Sequence, residues 1–158
     1  MIPANVKLSK SELTFVCDEH LILTKNRIIE KVYTLFGSLC SDFKEAITAH
    51  PHTLPPEIYL NSPKIYKGEQ YLGLPYVMMD YPRYFTKTDA FAIRCFFWWG
   101  NFFSITLHLS GKFAAQYDQL LLDALQSGRF NGWYYCCSED QWEHHFETDN
   151  YTPVNPGK

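Results

Sequence analysis

The chain has 158 residues, 46% of them hydrophobic and 20% charged, with a formal charge of −3. That is the size and composition of one globular domain, which excludes a disordered chain. Its lysines and arginines are scattered, the densest stretch being "KNR" at 25–27, which excludes the basic surface that nucleic-acid binding requires. Aromatic residues make up 17%, enough for a thick core, a partner interface or a ligand pocket.

Residues 9–20 predict a short first helix. Over 24–49 apolar residues recur at threes and fours, at Ile28, Val32, Leu35, Leu39, Phe43 and Ile47. This predicts a long amphipathic helix with Thr24 as N-cap, stopped by the prolines of "HPHTLPPE". Gly37 within it suggests close packing. From 58 to 110 the period changes to two. "KIY" at 64–66 predicts a strand, "KGEQ" at 67–70 a turn, and "PYVMMDY" at 75–81 a strand ended by Pro82. Residues 91–98 and 102–109 follow as a strand pair. A second long helix is expected over 112–127, between an N-cap at Ser110 and a stop at Gly128. "WYYCC" at 133–137 reads as a strand, and "SEDQ" at 138–141 as a capping box opening a short helix. The tail from about residue 150 is expected to be loose.

The register of the pair 91–98 and 102–109 decides which residues share a face. A two-residue loop mixes polar and apolar residues on both faces. A three-residue loop, Trp99–Gly100–Asn101 with Asn101 left-handed, pairs Trp98 with Phe102 and segregates them. One face then carries Phe91, Ile93, Cys95 and Phe97 against Phe103, Ile105, Leu107 and Leu109. The expected fold is therefore a two-layer α+β domain, an antiparallel meander with both long helices packed on the apolar face. The other face gathers Ala92, Arg94, Phe96 and Trp98 with Phe102, Ser104, Thr106 and His108. Strand 75–81 adds Tyr76, Met78 and Asp80 to it.

That second face holds the candidate sites. Tyr76, Asp80, Arg94, Trp98, Thr106 and His108 form a candidate ligand site in which Arg94 would take an anionic group. Phe96, Trp98 and Phe102 are aromatic anchors of the kind interfaces use, and are expected to be covered by a second chain or a ligand. The contrasting expectation is a half-solvated face with a surface ion pair. Ser104 and His108 lie about 13 Å apart along one strand, too far for direct activation of a serine nucleophile.

Cysteines lie at 17, 40, 95, 136 and 137, an odd number without paired spacing, so the thiols are expected to be reduced. "CCSEDQWEHHFE" lacks a zinc spacing, and no phosphate loop or dinucleotide fingerprint occurs; neither metal nor cofactor is expected. No apolar run approaches a membrane span, and the N-terminus lacks a signal-peptide core, which together predict a cytoplasmic protein.

"YLGLPYVMMDYPRYF" followed by "FFWWGNFFSITLHLSG" resembles the central segment of a family of small bacterial proteins known only as a domain of unknown function. The resemblance covers about residues 64–111 and implies a bacterial cytoplasmic origin, with no activity attached. Three function classes follow. The first is a non-enzymatic binding or assembly protein, forming a homo-oligomer or meeting a protein partner. The second is a domain binding a small polar molecule, and the third an enzyme in which Asp80 and His108 handle protons.

Overall fold

The computed structural model describes residues 6–154 and is α+β. Its chain divides into two compact units, which adjoin in sequence at Leu109 and Ser110.

In the first unit, α1 (Lys10–Val16) opens with a complete capping box between Ser9 and Glu12, and buries none of its residues. Helix α2 (Glu19–Ala49) starts five residues before the predicted N-cap, because the Asp18 carboxylate accepts the Leu21 amide at 3.3 Å. Its buried residues are Ile29, Val32, Phe36 and Cys40. The helix is thus turned about one residue from the expected stripe, and Ile28 and Leu35 remain exposed. Gly37 marks no close packing: a Cβ there would meet nothing within 4 Å. Gly37→Ala is expected to stabilise the protein by about 1 kcal/mol, read as a raised urea midpoint.

The sheet is a meander in the order β1 (Lys64–Tyr71), β2 (Leu74–Phe85), β3 (Ala90–Trp98), β4 (Phe103–Ser110). Its β1–β2 and β2–β3 pairings are antiparallel. "KGEQ" is not a turn but part of β1. The chain reverses instead at Leu72 and Gly73, with φ of 47° and 79°, the two positive values a tight two-residue hairpin requires. Strand β2 runs past Pro82 because a register shift between Asp80 and Arg83 absorbs the missing ladder donor. After β3 the three-residue loop holds: the Trp98 amide donates to the Phe102 carbonyl at 3.0 Å. Gly100, at φ 73°, takes the left-handed position assigned to Asn101, making a turn closed by the Asn101 amide on the Trp98 carbonyl.

Helix α2 lies on the face expected for it, where Val32, Phe36 and Cys40 pack with Val77, Met79 and Cys95. Tyr81 and Phe97 join that core. Burial raises the thiol pKa of Cys40 and pushes that of Cys95 up to about 11. All five cysteines are free, with Cys17, Cys136 and Cys137 exposed. A disulfide reagent added to the folded protein should therefore modify these three quickly, and Cys40 and Cys95 only on unfolding. Fast modification of all five would contradict this core.

The second unit holds α3 (Lys112–Gln126) and the ribbon β5 (Tyr134–Cys136) with β6 (Tyr151–Pro153). Ser110 ends β4 and does not cap α3, whose N-cap position is Gly111. Residues 151–153, expected to be loose, are the partner of β5. No helix follows Ser138. Its hydroxyl accepts the Asp140 amide, and the Asp140 carboxylate accepts the Trp142 amide, two local turns that replace a helix. The remainder of the tail, 155–158, lies outside the described residues.

Candidate functional site

Cross-strand pairing brings the expected residues together on the second face. Tyr76, Met78 and Asp80 oppose Trp98, Phe96 and Arg94 in β3, and Gly68, Tyr66 and Lys64 in β1. The Trp98–Phe102 hydrogen bond carries Ser104, Thr106 and His108 to the same side. The face is not half-solvated. Asp80, Arg94, Phe96, Trp98 and His108 are all buried, Tyr76, Phe102 and Thr106 partly so.

Its polar half is organised around one ion pair. Arg94 Nε donates to Asp80 Oδ1 at 2.7 Å and Nη2 to Oδ2 at 3.1 Å, a two-point bond that occupies both carboxylate oxygens. Both side chains are more than nine-tenths buried. The Arg94 guanidinium also lies 5.8 Å from the Phe85 ring, which meets His108 edge to face at 6.1 Å. Both Asp80 oxygens and two of the Arg94 nitrogens are thus engaged within the chain.

Tyr66 completes the group. Its hydroxyl donates to Met78 Sδ and lies 3.5 Å from Asp80 Oδ2. Burial, with the Asp80 charge second, pushes its pKa up to about 12. The folded chain holds this proton more tightly than the unfolded chain, whose tyrosine ionises near 10. The stabilisation is complete below pH 10 and is lost as pH rises toward 12. Tyr66→Phe should therefore flatten the fall in melting temperature over that interval. An equal fall in both proteins would contradict the assignment.

The aromatic half closes on itself. Tyr71 meets Trp98 at 5.1 Å and Phe96 at 5.6 Å, Tyr76 meets Phe96 at 5.6 Å, and Phe102 meets Trp98 at 5.6 Å. Phe96 and Trp98 were expected to need a second chain or ligand above them. They are covered within this chain, because Tyr66, Tyr71, Tyr76 and Phe102 fold over them. Gly68 permits that cover: a Cβ there would lie 2.4 Å from the Tyr76 ring. Gly68→Val is expected to displace Tyr76 and cost roughly 1–3 kcal/mol, measured by urea unfolding.

Tyr66, Tyr71 and Phe85 were absent from the sequence reading of this face. Reading "KGEQ" as a turn removed Tyr71 from any strand, and ending β2 at Pro82 removed Phe85. The usable signal was the alternation of Lys64, Tyr66 and Gly68 ahead of "LG". Among the described residues no three His, Cys, Asp or Glu side chains converge as metal ligands, and no helix is long and apolar enough to cross a membrane.

Bare apolar surface lies elsewhere, on α1, the first turns of α2, parts of the second unit and β4. The α2-facing side of β4 exposes Phe103 and Ile105 by 55% each and Leu107 by 43%. At the two sheet edges the chemistry differs. Edge strand β1 carries Lys64, Lys67 and Glu69 and breaks register after Gly68, features that discourage strand addition. Edge strand β4, "FSITLHLS", contains no Asp, Glu, Lys, Arg, Gly or Pro. Compared with family models, curated proteins and solved structures, the chain matches none.

Proposed function

We propose that this chain is a non-enzymatic binding or assembly protein, and that its contact surface is the β4 edge. The observation that carries this is the exposed stripe Phe103, Ile105 and Leu107 on an uncharged edge strand. Such a strand presents unpaired backbone groups and apolar side chains together, the combination that takes up another strand. The second face serves as interior, its ion pair and aromatic cluster fixing the curvature and register that hold β4 in place. The bacterial cytoplasmic setting implied by the resemblance over residues 64–111 belongs to the same reading.

The test is cross-linking of the tagged full chain in cells, followed by peptide mapping. Cross-links should concentrate on residues flanking β4, and Ile105→Lys should abolish them. Cross-links that persist in Ile105→Lys, or that map to the rim of the second face around Tyr76 and Thr106, would overturn the assignment.

A further inference from the structure

We infer that the occupant of the β4 edge is a second copy of this chain, paired β4 to β4 about a two-fold axis that joins two four-stranded sheets into one of eight. This rests on the reading of β4 as the contact surface and names what fills it.

The register follows from the hairpin. The Phe102 carbonyl points toward β3, where it accepts the Trp98 amide. Backbone direction alternates along a strand, so the N–H and C=O groups of Phe103, Ile105, Leu107 and Leu109 point away from β3. These four residues are spaced to exchange hydrogen bonds with the same four of an antiparallel copy. The arrangement that uses them all sets Ile105 against Leu107 of the second copy and Phe103 against its Leu109, with Thr106 on the axis. Residues opposite one another share a face, so a two-fold normal to the sheet keeps both apolar stripes on one side. The exposed apolar residues of each strand then meet each other, and Ser104 meets His108.

Charge favours the same occupant. A strand without Asp, Glu, Lys or Arg offers no ionic selection for a charged partner, and its apolar stripe is complemented by the same stripe of a second copy. The backbone edge is about 27 Å long at ~3.4 Å per residue. Pairing along it, with the two stripes flanking each other, removes on the order of 1,000 Å² from water in total, the lower bound of a specific interface.

The test is sedimentation velocity of the full chain across a concentration series, beside Ile105→Lys and the milder Ile105→Thr. The wild type should sediment as a dimer. Ile105→Lys places a charge in the joint and should weaken association by about tenfold or more. Ile105→Thr keeps strand propensity and should weaken it less, with circular dichroism unchanged and melting lowered only by the association lost. In a background lacking the exposed Cys17, Cys136 and Cys137, Thr106→Cys should form an inter-chain disulfide on mild oxidation. That follows because directly opposed residues outside the hydrogen-bonded pairs bring their Cα atoms to about 4.5 Å. A dimer whose Thr106→Cys chains fail to link overturns the two-fold register. A chain that is monomeric at every concentration, yet loses its cellular cross-links in Ile105→Lys, overturns the second copy and leaves the β4 edge standing. A dimer that neither Ile105 substitution weakens overturns both.

Discussion

Arg94→Met is expected to destabilise the protein by about 3–5 kcal/mol, because it strands the buried Asp80 carboxylate without the two hydrogen bonds that satisfy it. The second half of the experiment is the informative one. Asp80→Leu combined with Arg94→Met removes both charges, and should recover most of the loss, since an apolar pair of similar bulk avoids desolvating two ions. Urea unfolding of the two single variants and the double variant forms a complete cycle. If Arg94→Met alone costs under about 1 kcal/mol, the pair behaves as a solvated surface bridge. The burial described for this face would then be wrong.

Trp98→Glu is expected to cost more than about 3 kcal/mol, since it places a carboxylate among the rings of Tyr71, Phe96 and Phe102. Trp98→Phe keeps an aromatic ring in place and removes an indole N–H that is buried without a hydrogen-bond partner, so its cost should be distinctly smaller. Self-association should survive Trp98→Phe, because Trp98 belongs to the interior of the face opposite the exposed stripe. A Trp98→Glu protein that melts like the wild type but loses its partner would return the contact surface to the second face.

The hairpin loop was legible in the sequence because only one loop length segregates the faces, and side-chain period two makes that a discrete choice. From that register the composition of both faces of the hairpin followed; the meeting of Asp80 with Arg94 needed the further expectation that strand 75–81 lies beside strand 91–98, which the β2–β3 pairing meets. Burial did not follow. The alternation of Lys64, Tyr66 and Gly68 was the one hint that β1 continues to Tyr71, and the turn itself gave little support, since its residues are a leucine and a glycine and leucine at positive φ is a weak signal. Without Tyr66 and Tyr71 the second face looked bare, and a partner was invoked to cover it. The turn of α2 was misjudged for a related reason. Its apolar residues span a wide arc, and periodicity alone could not distinguish Ile28 and Leu35 on the flank from Ile29 and Phe36 at the centre. The unprotected edge was present in "FSITLHLS" all along, but edge status depends on strand order, which is a property of the folded chain.

The central claim is that the β4 edge, and not the polar–aromatic face, is where this protein meets its partner. Amide hydrogen exchange of the full chain at low and high concentration tests it most directly, because the outward amides of Ile105 and Leu107 lose solvent only when another strand pairs with them. The account predicts that their exchange slows as concentration rises, while amides of the charged β1 edge keep their rates. Unchanged exchange along β4, with protection appearing on β1 or nowhere, would contradict it.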